Sequence, residues 1–211
     1  MKKYLINKIQ NNHLKKFKRK GNQKYVSLDD AKLLCIIFDI NDPDFRKLYM
    51  YISKFLKEHK IEFSLIILDL IIPKTKSKTE EVENENLEVL KDESNFCYIT
   101  YKDLNWYGEA NEIASLDHIY KQNFDILIDT TSGNNYTSNF IINEITSKLK
   151  IGASSNQSNF CDIIISKSIG DQIPLSQETD NDDVVDKYSI SDQIKRIKYI
   201  TEYLKIITIA K

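Results

Sequence analysis

KLLCIIFDINDPDFRKLYMYISKFLKEHKIEFSLIILDLII, residues 32–72, decides the fold. Its first piece, KLLCIIFDI (32–40), is a continuous apolar run rich in Ile, the pattern of a strand covered on both faces. Asn41 to Asp44 turns the chain, and Pro43 sits where a first helical turn tolerates it. Over 45–59 the apolar residues Phe45, Leu48, Ile52, Phe55 and Leu56 fall on one helical stripe. FSLIILDLII (63–72) then repeats the buried-strand signal. Strand, helix and strand in that order predict a βαβ unit, whose crossover is almost always right-handed.

The same alternation continues downstream. FCYITY (96–101) reads as a short strand, residues 112–121 as a short helix and FDILIDT (124–130) as a third long buried strand. A helix is expected from about Tyr136 to Lys148, followed by strands at KIGAS (150–154) and CDIIIS (161–166). A last amphipathic helix is expected over 191–209, with Ser191 or Ser189 as N-cap and Ile194, Ile197, Ile200 or Tyr199, Leu204 and Ile207 on one face. Alternating strands and helices predict an α/β fold: a single three-layer sandwich with a mostly parallel sheet, preceded by a basic N-terminal helix. A chain of 211 residues holds one such domain with extensions.

Charge divides this domain from what precedes it. Residues 1–24 contain nine of the 30 basic residues and no acid, which leaves 25–211 with a net charge of −10. The acids concentrate at about 74–95 and 171–187, which read as insertions in a Rossmann-like domain spanning 25–211. In the arm, residues 1–24, Ile6, Ile9, His13 and Phe17 recur at helical spacing with Leu5 and Leu14 beside them and Lys on the other side. Gly21 is suited to end the helix. Lys15, Lys16, Lys18, Arg19 and Lys20 are the candidate contacts to an acidic partner: RNA, the ribosome, a protein or an anionic membrane surface. The competing expectation is a clasp in which the arm neutralises the acidic insertions of its own body.

Few chemistries find their residues. There is no GxxxxGK[ST], GxGxxG or GxSxG, and five glycines leave little backbone freedom for cradling phosphate. The three histidines and three cysteines lack metal-ligand spacing, so no metal and no cofactor is expected. Asp39, Asp69 and Asp129 end buried strands, where open parallel sheets bind ligands. Asp39 and Asp129, with Ser132 and Asn134 of the TTSGNN loop, are therefore the candidate ligand residues of a nucleotide or sugar-phosphate site. The bland account of these positions is strand ends becoming polar at the surface, with turn and N-cap chemistry between them. Trp106 and Tyr107 offer a stacking surface, but a core anchor covering a sheet edge is the expected role for Trp106. No apolar run approaches the roughly 20 residues of a membrane span, and the N-terminus lacks a secretory h-region. A cytoplasmic protein, with peripheral attachment to the inner membrane as one form of docking, is the expectation. Whether the chain is an enzyme stays open, with a non-catalytic role preferred.

The segments DLNWYG (103–108), FDILID (124–129) and KIG (150–152) resemble a Bacteroidota family of unknown function with a Lys-rich N-terminal helix. That resemblance implies a Rossmann-like α/β fold and assigns no catalytic residue. FDILID followed by a helix and KIG is also similar to the N-terminal half of heptosyltransferase-like glycosyltransferases. Their second, nucleotide-binding half has no room here. The function these readings favour is a non-catalytic binding or adaptor module that docks through its basic helix. The alternative is an enzyme or regulator binding a nucleotide or sugar phosphate at the strand ends.

Overall fold

The computed structural model of the chain describes residues 2–17, 24–71, 85–91, 93, 95–110, 113–131, 135–153, 157 and 159–165. Within them the elements run α1 (Lys2–Lys16), β1 (Leu33–Asp39), α2 (Phe45–Glu58), β2 (Glu62–Asp69), β3 (Phe96–Thr100), α3 (Ala114–Tyr120), β4 (Asn123–Asp129), α4 (Tyr136–Glu144), β5 (Thr146–Gly152) and β6 (Ile163–Ile164). The six strands form one sheet in the order β3-β2-β1-β4-β5-β6, and each neighbouring pair is parallel. This is the doubly wound order, which reverses direction between β1 and β4.

Alternation along the strands builds two cores. Leu34, Ile36 and Phe38 of β1 point to one face and pack with Phe45, Leu48, Ile52 and Leu56 of α2. Cys35 and Ile37 point to the other and pack with Leu116 and Ile119 of α3 and Ile141, Ile142 and Ile145 at α4. Both faces of β1 are covered, which is why its sequence is apolar at successive positions. Ile36, Ile66 and Ile126 are fully buried, and Ile164 is half-buried at the edge. Within the first acidic stretch, Glu85–Leu90 is a 3-10 turn that buries Leu90 on the α2 face.

Two local expectations are corrected. The helix expected to run to Lys148 ends at Glu144, because Thr146–Gly152 pairs with β4 instead. Ile141, Ile145 and Leu149 keep helical spacing, but the ladder to β4 outweighs it. In β5, Leu149 and Ile151 join the α2-side core while Lys150 is buried on the other side. The strand expected over 161–166 contracts to Ile163–Ile164. Leu5, beside the inward stripe of α1, is 51% exposed. The second acidic stretch, Gly21 and the expected C-terminal helix lie outside the described residues.

Candidate functional site

Two surfaces carry the residues that chemistry singled out: the rim at the carboxyl ends of the strands, and the face of α1. At the rim, Asp39 is exposed and accepts from the Asn41 backbone N–H at 2.9 Å and its amide at 3.3 Å. The same amide donates to Asp69 at 3.0 Å, and the Tyr98 hydroxyl donates to the other Asp69 oxygen at 2.6 Å. Asp42 and Asp44 follow at the start of α2, where Asp42 accepts the Asp44 N–H at 2.9 Å. Four carboxylates thus stand where the first helix of a doubly wound sheet would receive a phosphate, and like charges there repel one. At β4 both the backbone N–H and the hydroxyl of Thr130 donate to the Ile37 carbonyl, at 3.0 and 2.9 Å, which extends the β1–β4 ladder by one residue.

Asp129, the second candidate, is fully buried. Its carboxylate accepts from the Thr131 backbone N–H (2.9 Å) and hydroxyl (3.1 Å), from the Ser138 hydroxyl (3.4 Å) and from the Gln157 amide. Gly152, its register partner on β5, leaves room for that amide, because a Cβ there would lie 2.6 Å from the Gln157 Oε1. The carboxylate is committed to pinning the end of β4, the first turn of α4 and residue 157 together. Ser132 and Asn134 lie outside the described residues. Their neighbour Asn135 caps α4, accepting the Thr137 N–H at 2.8 Å.

Burial pushes the Asp129 carboxyl up to about 6, against the opposing pull of its hydrogen bonds from Thr131, Gln157 and Ser138. The native state therefore holds this proton more tightly than the unfolded chain does. Its contribution to stability is full below about pH 4 and lost as pH rises through about 6, a difference of about 3 kcal/mol. Asp125 works in the opposite sense: burial raises it, but the Lys148 ammonium and the backbone N–H groups of Lys32 and Leu33 outweigh burial and hold it low. Its contribution is lost only as pH falls below the ordinary carboxylate range. Urea unfolding between pH 4 and 7 should therefore show stability declining with pH in the native chain, and Asp129→Asn should flatten that decline. An identical pH profile in the variant would refute this assignment.

The second surface is α1. Ile6, Ile9, Gln10, His13, Leu14 and Phe17 are its half-buried residues, at i, i+3, i+4, i+7, i+8 and i+11. They seat on the face opposite α2. Phe17 meets Phe140 of α4 and Phe160 at ring distances of 6.0 and 6.1 Å. The Gln10 amide donates to the Tyr107 carbonyl at 2.6 Å, and His13 Nδ1 lies 2.9 Å from Glu109 and 3.1 Å from the Tyr136 hydroxyl, which itself donates to Glu109 at 2.9 Å.

The turn that receives α1 is built by its own sequence. Asn105 Oδ1 accepts the N–H groups of Tyr107 and Glu109, at 3.1 and 3.0 Å. Gly108 takes φ +98°, a conformation side chains disfavour, and its carbonyl accepts the Thr137 hydroxyl at 2.7 Å. The expected anchoring of Trp106 in the core is corrected here: bonding at Asn105 and Gly108 fixes the turn with Trp106 at its tip, 54% exposed. The expected clasp on the first acidic stretch has no counterpart among the described residues, since Glu85–Leu90 packs on the α2 face and α1 on the α4 face. Glu109 and Tyr136 were invisible as partners of His13 because they lie 96 and 123 residues away.

Lys3, Lys8, Lys15 and Lys16 of α1 are all exposed, Lys8, Lys15 and Lys16 on its outward face and Lys3 in line with the stripe near the N-terminus, with Asn7, Asn11 and Asn12 between them and no acid in the helix. Lys15 and Lys16 belong to the candidate polyanion set; Lys18, Arg19 and Lys20 lie outside the described residues. Among the described residues no group of three or more His, Cys, Asp or Glu could hold a metal ion, and no helix is long and apolar enough to cross a membrane. A family model described as a family of unknown function (DUF6913) matches residues 2–181. No curated protein and no solved structure matches the chain.

Proposed function

We propose a non-catalytic docking role for this chain, which belongs to the DUF6913 family: the α/β body is a rigid base, and the outward face of α1 binds a phosphate-rich acidic partner, with the cytoplasm as the place of action. The observation that carries this reading is the division of α1. Its inward stripe is consumed by contacts to the 105–109 turn and α4, so the helix is held in place before any partner arrives. Its outward lysines are unmixed with acids. Preorganisation of this kind lowers the entropic cost of binding. Tyr4 and Leu5 are the large apolar side chains exposed on the helix, a small wedge for lipid insertion, so phosphate recognition is favoured over membrane burial.

A second reading, a nucleotide or sugar-phosphate site at the strand ends, draws on the doubly wound strand order. Against it stand the carboxylates of Asp39, Asp42, Asp44 and Asp69 on that rim and the internal commitment of Asp129. Binding of the full chain to a single-stranded polyanion should weaken with salt, log affinity falling by about 0.7 per contacted phosphate for each unit of log salt concentration. Affinity independent of salt would sink the docking role. Saturable thermal stabilisation by a mononucleotide with Mg2+, in the absence of polyanion binding, would install the second reading in its place.

A further inference from the structure

Trp106 is the chain's one tryptophan, and it stands exposed on the turn that receives α1. Its ring is braced edge-on by Tyr107 (5.1 Å, 83°), and Tyr107 is in turn met edge-on by His13 of α1 (5.6 Å, 89°). The backbone beneath is fixed by Asn105, by the positive φ of Gly108 and by the Gln10 amide on the Tyr107 carbonyl. Burying the ring as an anchor would have been the ordinary use of such a residue; holding it outward on a rigid turn leaves an aromatic face without a partner of its own size among the described residues. Gln10 lies one helical turn from Asn7 and two from Lys3, both exposed, so the turn that carries the indole and the Lys3 end of α1 border the same surface.

We propose that Trp106 and the adjoining end of α1 form one site for single-stranded nucleic acid, in which a base stacks on the indole while Lys3 holds a flanking phosphate and the strand continues onto the lysines of the outward face. This inference rests on the docking role proposed above and adds the class of partner. Charge complementarity selects a polyanion. The exposed indole selects one that carries free π-faces, since the bases of a duplex are already stacked on each other. Sequence preference is not expected, because stacking accepts every base.

The single tryptophan makes the test direct. In the full-length chain, oligo-uridylate should quench Trp106 fluorescence saturably. Polyphosphate, which has the charge and no bases, should compete for the site without quenching. Trp106→Ala should weaken oligo-uridylate binding roughly 5- to 150-fold, as expected for loss of one stacked base, with polyphosphate affinity and the melting curve unchanged; Trp106→Phe should recover most of the loss. If polyphosphate binds but oligo-uridylate binds equally to wild type and Trp106→Ala without quenching, the stacking site is refuted and the docking role stands. If neither binds, both fall. A blue shift of Trp106 emission on anionic vesicles, without quenching by oligo-uridylate, would assign the indole to a membrane surface and overturn the proposal.

Discussion

Replacing Phe38 with alanine is expected to cost the fold about 3–5 kcal/mol, the range for truncating a fully buried aromatic. Phe38 lies on β1, with β2 on one side and β4 on the other, and none of its surface reaches solvent. Its ring meets Phe45 edge-on at 5.7 Å, and Phe45 stacks on Tyr49 at 6.2 Å, so the three rings join the sheet to the first turns of α2. No neighbour is free to collapse into the space: Ile67, the register partner on β2, is itself fully buried and held by its own ladder. For a chain of this size the loss corresponds to a fall in melting temperature of roughly 6–20 °C, readable by circular dichroism. A fall of only a degree or two would mean that the sheet is not assembled around β1.

Charge reversal on α1 should produce the opposite profile, a large loss of binding with little loss of stability. In Lys3→Glu, Lys8→Glu, Lys15→Glu, Lys16→Glu, the substituted side chains are all exposed; Lys8, Lys15 and Lys16 lie off the stripe that seats the helix, and Lys3 lies in line with it near the N-terminus. Each surface change is worth roughly ±0.5 kcal/mol. Glu at position 3 gains from the helix dipole, whereas Glu at 15 and 16 loses by it, about 0.3–1 kcal/mol each. Melting should therefore shift by a few degrees. If each lysine contacts one phosphate of a single strand, the salt slope should fall by about 2.8 and affinity near 0.1 M salt by roughly two to three orders of magnitude. A sharp drop in melting temperature with binding retained would instead make the outward face part of the fold.

The βαβ unit at 32–72 was legible because burial on both faces leaves a signal in every residue: no polar residue interrupts Leu34 to Phe38. The inward stripe of α1 was legible for a related reason, the 3.6-residue period of Ile6, Ile9, His13 and Phe17. What that stripe packs against was not. Gln10 and Tyr107 lie 97 residues apart, and nothing local couples them. Thr146 to Gly152 misled because Leu149 continues the spacing of Ile141 and Ile145, and only pairing with β4 reveals the strand. Trp106 misled because hydrophobicity favours burial, whereas the cap at Asn105 and the φ of Gly108 decide where the turn points it. Asp129 was correctly placed at a strand end; the donors of Thr131, Ser138 and Gln157 that keep it inside become visible only in three dimensions.

The most direct measurement of the central claim is a map of backbone amide shifts as the isotope-labelled, full-length chain is titrated with a single-stranded polyanion. The α1 account predicts shifts concentrated at Lys3, Lys8, Lys15 and Lys16 and on the adjoining turn at Trp106, with Asp39, Asn41 and Thr130 unmoved. Shifts concentrated at Asp39, Asn41 and Thr130, with α1 silent, would contradict it and place the ligand at the carboxyl ends of the strands.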